Sequence, residues 1–383
     1  MSGTPAGRVL RKRCGWSWVV ALAGASALSP ADADAQIKWR DLHVSGGLSL
    51  EGYQGNLAAV SVPQVDSTEA AQAAVGEFAG RGQLWLLEGA TRDLWVGFDA
   101  GLRQFAATGF EVRDYAPREW VGNVALNFRQ DLGASRLMAS VRARGRDVAD
   151  RPPIPLFIQP GYGMATGELR LLLPPARDVS FDVSVGGEIS DYTSLVFTPQ
   201  LDLLDRRAFE TELGASWQGT AAWRVRFFSG LDISHYERQG TALPSDPFRR
   251  DHAVRAGAQW SYGGSRMDLR LGAEGIFNRS NSRRVEYDAL RASVVSGMAL
   301  PWEITANVYG VFTLKRYLLE LETARVAPGE EADNATVAYL LLSRPVAANL
   351  DGAIRFGWTR AETDIGDSYF RRYGFSVLLD YRP

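Results

Sequence analysis

Ser234 and His235 put a hydroxyl next to an imidazole, the start of a hydrolytic site. Such a site needs the nucleophile within hydrogen-bond reach of the base, and a third group to orient the ring. The residues around them alternate polar and apolar, as on a strand, where adjacent side chains point to opposite faces. That separates the two groups. The other histidines are His43 and His252, and the carboxylates Asp364 and Asp367 have no histidine beside them. No His, Asp and Glu recur at metal-ligand spacing. The stretch Thr68 to Val75 predicts a short helix without a phosphate-binding glycine pattern. The sequence therefore predicts no enzyme, no cofactor and no metal.

The other candidates are charges at alternate positions. Arg142, Arg144 and Arg146 share one segment, and Arg224 and Arg226 share another. Between them lie Glu168, Arg170, Asp182, Glu188, Glu210 and Glu212. Spacing of two puts such residues on one face of a strand, so the elements that carry them decide their use.

Composition alone describes an ordinary chain. It has 383 residues, 46% hydrophobic and 22% charged, with net charge −2 and mean hydropathy −0.15. These values exclude a disordered chain and a strongly basic nucleic-acid binder. One Cys and 3 His exclude a disulfide scaffold and argue against a zinc module. Helical spans need roughly 18 or more consecutive apolar residues, and the chain has none; a β-barrel needs no such run.

Residues 1–35 read as a cleaved export signal. Arg8, Arg11, Lys12 and Arg13 form a basic start, Trp16 to Leu28 an apolar stretch, and Ala33-Asp34-Ala35 a cleavage site. Cys14 leaves with this segment. Of 42 basic and 44 acidic groups it removes four and two, which leaves a mildly acidic domain over 36–383. Lys38 and Lys315 are its only lysines; the arginine bias suits paired charges in a confined space.

After residue 36, period-two alternation runs to the end. Val124, Leu126 and Phe128 oppose Asn123, Asn127 and Arg129; Val179, Phe181, Val183 and Val185 oppose Ser180, Asp182 and Ser184. Connections alternate between short (91–93, 131–135, 174–178, 218–222, 263–265, 300–301, 344–349) and long (54–75, 106–118, 147–160, 192–206, 237–250, 279–285, 317–335, 363–368). That is the pattern of a transmembrane barrel with tight periplasmic turns and larger extracellular loops. The expected fold is all-β, a transmembrane antiparallel β-barrel of 16 strands, with 14 and 18 as alternatives. The least marked strands are the second (76–90) and the fourteenth (336–343). Trp39, Trp85, Trp95, Trp217, Trp223, Trp260 and Trp302 fall at short-turn ends; Tyr115, Tyr162, Tyr192, Tyr236, Tyr287, Tyr317 and Tyr369 fall at long-loop ends. Both sets read as interfacial aromatic girdles. His235 and His252, on outward parity, read as interfacial rings too.

Closure follows from physics, because in lipid every backbone N–H and C=O must be paired within the protein. Apolar positions then face lipid and the charged positions face the lumen. Opposed charged walls would set a transverse field that selects solutes; cross-strand salt bridges would only stiffen the wall.

Over its mature length the chain resembles the general bacterial porins and other outer-membrane barrels. The resemblance rests on the export signal, the alternating strands, the turn asymmetry, the girdles and a last strand running from Tyr373 to Tyr381. That strand looks like the family's C-terminal assembly signal, here followed by Arg382 and Pro383. The resemblance implies passive diffusion of small hydrophilic solutes or ions across an outer membrane. It also implies contact with outer-membrane lipids and the barrel-assembly machinery, and assembly as a homotrimer; no nucleic-acid partner is expected. A non-conducting barrel acting as scaffold or secretion partner is the alternative. An energised receptor would need an N-terminal plug, for which the early first strand leaves no room.

In general porins the third loop folds into the lumen. Here that loop, 151–160, is unusually apolar, with Leu156, Phe157 and Ile158 between prolines. It reads either as a constriction or as a rigid surface loop. Deletion of 152–159 separates the two: a changed single-channel conductance supports constriction, and an unchanged one supports the surface loop.

Overall fold

The computed structural model describes residues 37–55, 71–108, 116–150, 161–192, 205–241, 245, 247–282, 285–319, 335–362 and 369–383. These form sixteen strands. In chain order they are β1 (Lys38–Gly55), β2 (Ala71–Glu88), β3 (Arg92–Thr108), β4 (Arg118–Leu132), β5 (Ser135–Ala149) and β6 (Tyr162–Leu172). β7 (Val179–Tyr192), β8 (Arg206–Gln218), β9 (Trp223–Gly240), β10 (Phe248–Gly263) and β11 (Met267–Ser280) follow. β12 (Tyr287–Ala299), β13 (Thr305–Tyr317), β14 (Ala335–Ala347), β15 (Leu350–Glu362) and β16 (Tyr369–Tyr381) complete the set. Each strand pairs antiparallel with its sequence neighbour, and β1 pairs with β16, so the sheet closes into a barrel.

Alternation builds the wall. On β8, Phe209, Leu213 and Trp217 stand on one face and Glu210, Glu212 and Ser216 on the other. The apolar face is the convex one and is laid bare: Leu48 is 72% exposed, Leu213 66% and Leu314 73%. A continuous apolar surface of this kind is untenable in water. Lipid is its solvent, and the fold is a membrane-spanning antiparallel barrel.

The band has aromatic and charged borders. Trp39, Trp217, Trp223 and Trp260 face outward at the short-turn end, with Trp217 and Trp223 packed edge to face at 5.0 Å. Outward Trp120, Phe277, Trp358 and Tyr373 lie toward the long-loop end. Beyond them, Arg207 pairs with Glu237 at 2.7 Å and Arg279 with Asp288 at 2.8 Å. Charge on the outer face thus begins where the hydrocarbon ends.

Several boundaries differ from those expected. β2 starts at Ala71, so residues 71–75 of the expected helix are strand. Ala73 and Val75 are buried on the inner face and are held between β1 and β3; ladder pairing overrides the helical propensity of the alanines. β14 runs to Ala347 rather than ending at 343, and takes Pro345 into the sheet at a register shift between Pro345 and Ala347. The turn at Leu300 extends to Ile304, with Trp302 and Glu303 at φ 61° and 60°. The export segment, loop residues Leu156, Phe157 and Ile158, Asp364 and Asp367 lie outside the described residues.

Leu213→Arg sets a guanidinium in the hydrocarbon and is expected to cost roughly 2–4 kcal/mol near the midplane. Leu213→Val should cost less than about 1.5 kcal/mol. Urea unfolding from lipid vesicles, followed by tryptophan emission, reads the difference.

Candidate functional site: the inner wall

Register fixes which side chains share the inner face. Arg142 stands opposite Ala125 and Thr166, Arg144 opposite Asn123 and Met164, and Arg146 opposite Val121 and Tyr162. The same row of partners carries Arg170, Asp182, Glu188, Glu210, Glu212, Arg224 and Arg226. Ion pairs that skip strands show that this face is concave. Arg226 on β9 reaches Asp182 on β7 at 2.7 Å, and Arg355 on β15 reaches Glu77 on β2 at 2.6 Å, past β16 and β1. Side chains two or three strands apart converge only on the inside of a curved sheet.

Two networks cover much of this wall. In the first, Arg226 bridges Asp182 and Glu212, each at 2.7 Å, and Arg170 contacts Glu212 at 3.4 Å. Arg255 continues it to Asp232 at 2.7 Å and to Glu274 at 4.0 Å, and Arg291 meets Glu274 at 2.9 Å. Glu210 sits at its edge, 3.9 Å from Arg255. Glu188 pairs separately with Arg206 at 2.9 Å. Gly214 makes the network possible: a Cβ there would lie 2.5 Å from the Arg226 guanidinium and 2.6 Å from Asp182. With hydrogen at that position the arginine lies flat along the wall.

The second network spans the joint between the first and last strands. Arg103 contacts Glu51, Glu77 at 3.7 Å and Glu119 at 3.1 Å. Arg146 holds the other oxygen of Glu119 at 2.6 Å, and Arg372 on β16 holds Glu51 at 2.7 Å. Tyr53 donates its hydroxyl to Glu51. The Arg103 guanidinium lies over Phe105, 4.8 Å from the ring centre. Glu51, Glu119, Val75 and Phe105 are all buried, so these carboxylates depend on their cations for solvation.

The tyrosines correct the girdle expected at the long-loop end. Tyr162, Tyr192, Tyr236, Tyr287 and Tyr317 carry inner-face parity: Tyr162 pairs with Arg146 and Tyr192, and Tyr287 with Asn278 and Tyr317. They point inward, and Tyr162, Tyr236, Tyr287 and Tyr317 each have a cation over the ring. Arg249 lies 4.1 Å above Tyr236, and Lys315 Nζ 3.9 Å above Tyr287. Trp85 and Trp95 also turn inward, stacked at 5.2 Å, with Arg40 over Trp85. Strand-end position places a ring at a given height, and only parity assigns it a side.

Against this paired background, Arg142 and Arg144 are exposed and make no ion pair among the described residues. Arg224 has no acidic partner there either and donates to Gln218 at 2.9 Å. Sequence reasoning missed Glu51, Glu77, Arg103, Arg255 and Arg372, although each stands on the polar parity of its strand. Ser234 faces inward beside Ala208 and Asp251, while His235 faces outward beside Arg207. His43 lies inside, 3.0 Å from Asp380.

Fold and wall together define a membrane-spanning β-barrel with a charged interior. No protein-family model matches the chain, and no curated protein matches it. Solved structures similar to it include OmpF of Salmonella typhi in complex with daunomycin, at 9% identity over 89% of this chain and 98% of that one, TM-score 0.41. OccAB4 of Acinetobacter baumannii gives 9% identity over 90% and 98%, TM-score 0.39. CdiB of the same organism gives 10% over 88% and 60%, TM-score 0.44.

Arg103→Gln strips a cation from two buried carboxylates and is expected to cost about 3 kcal/mol. Arg142→Gln, an exposed and unpaired change, should stay within about 0.5 kcal/mol. Urea midpoints of the two variants in vesicles give the comparison.

Proposed function

We propose that the chain is an outer-membrane channel for passive diffusion of small hydrophilic solutes or ions. The observation that carries this reading is water access to the inner wall on opposite sides of the barrel. The side chains of Glu168 and Glu210 are each 52% exposed. Across from them Tyr309 is 44% and Tyr339 40% exposed, both on inner-face parity. A barrel packed shut would bury these groups. Sixteen strands also enclose more space than short side chains can fill.

The ionised wall supports the same conclusion. Water in the lumen solvates charges such as Arg142 and Arg144 that have no partner in the wall. The export segment read in residues 1–35 and the even strand number fit an outer membrane.

Reconstitution into planar bilayers is the test. The expected result is discrete, ohmic conductance steps in potassium chloride. A correctly folded barrel that inserts and stays silent would overturn the channel reading in favour of a scaffold or secretion partner.

A further inference from the structure

We propose that Arg142 and Arg144 form a binding step for small dicarboxylates on the inner wall of β5. The inference deepens the channel reading and takes its access route from it. What sets these two residues apart is that they stand two apart on one strand and both lack an acidic partner among the described residues. Arg81, Arg224 and Arg270, also without one there, stand singly on β2, β9 and β11. Arg103, Arg170, Arg226, Arg255, Arg355 and Arg372 all lie within ion-pair reach of a carboxylate. Arg142 and Arg144 lie on the same face of the same sheet, exposed, and bond to no acid among the described residues. Two unpaired guanidiniums side by side on one strand offer a concentrated positive charge that an anion from solution can meet.

The surroundings suit an oxyanion. On the same face their cross-strand partners are Ala125, Asn123, Thr166 and Met164, all neutral. Asn123 and Thr166 supply hydrogen-bonding groups beside the guanidiniums. Asn123 is itself oriented, donating to Asp99 at 2.6 Å. On the side toward the short turns stands Glu168, whose contact is with Arg170 at 3.6 Å. It bounds the site with negative charge.

Spacing selects the class of anion. Residues two apart on one strand are separated by roughly 6.8 Å along the wall. That matches two carboxylates joined by a short aliphatic chain, each meeting one guanidinium fork. A monocarboxylate engages only one fork. Arg142 is the central residue of β5 (Ser135–Ala149), so the step falls midway along the passage.

Calorimetric titration of succinate into the folded, detergent-solubilised barrel tests the site without requiring conductance. Succinate is expected to bind, and to bind at least about tenfold more tightly than acetate, since a second charge-assisted fork is engaged. In the Arg142→Gln/Arg144→Gln variant that advantage should disappear. Arg142→Lys/Arg144→Lys, which keeps the charge but loses the fork, should retain only part of it. Arg224→Gln/Arg270→Gln removes the same charge from two inner-face arginines on separate strands and should leave binding unchanged. Equal binding of succinate and acetate, unaltered binding in the Arg142→Gln/Arg144→Gln variant, or equal loss in the Arg224→Gln/Arg270→Gln control would overturn the proposal. Chloride current through the parent barrel distinguishes the two readings. A conducting barrel indifferent to succinate defeats the site alone, and a silent barrel that binds succinate defeats the channel alone.

Discussion

A peptide group in hydrocarbon has no water to bond, so each N–H and C=O of a spanning segment must find a partner inside the protein. For strands this means that the sheet has no free edge, and the pairing of β1 with β16 is the contact on which the remainder rests. Twelve residue pairs from Val44–Tyr381 to Gly55–Phe370 hold that joint by backbone alone. Side chains add to it: Ser49 bonds Ser376 at 2.7 Å, His43 meets Asp380 at 3.0 Å, and Arg372 meets Glu51 at 2.7 Å. All three bonds lie on the inner face, so the joint is reinforced from the lumen while Leu48, Leu50, Phe375 and Val377 meet lipid on the outside.

Closure also decides the economy of charge. Curvature crowds inner side chains together and spreads outer ones apart, so an arginine inside the barrel can reach acids two or three strands away. This explains why arginine replaces lysine almost throughout: a planar fork can serve two carboxylates at once, as Arg226 does for Asp182 and Glu212. It also explains an inner-face glycine. Gly214 sits beneath the Arg226 guanidinium, where any side chain would lift the cation off the wall.

Pairing answers the two ways of reading the lumen charges unevenly along the wall. Arg170, Asp182, Glu212 and Arg226 belong to one bonded network, and Arg146 and Glu188 are each tied to a neighbour. These charges brace the sheet. Arg142 and Arg144, like Arg224, lie on the same face without an acidic partner among the described residues. Residues that look equivalent as alternating charges in a strand therefore divide into structural and available groups.

Alternation with period two is a local property, so the sequence by itself determined that the chain is all-β, that its strands are joined by short and long connections in turn, and which residues share a face within each strand. Val179 to Val185 shows this, since no distant contact is needed to see that Asp182 and Ser184 oppose the valines. Closure of the sheet decided that the strands number sixteen rather than 14 or 18. Strand limits were less legible where both faces are apolar, as in β14, or where alanines dilute the pattern, as at Ala71–Val75. The tertiary structure alone decided what each polar residue meets. Register between strands and the curvature of the closed sheet bring Arg103 to Glu51 and Arg355 to Glu77 across hundreds of positions or from nonadjacent strands, and nothing in the spacing of either residue announces its partner. It also decided that Tyr162, Tyr192, Tyr236, Tyr287 and Tyr317 turn inward, because a one-residue difference in parity moves a side chain from lipid to lumen. A composition of 46% hydrophobic and 22% charged residues averages those two faces, and closure of the sheet is what physically separates them.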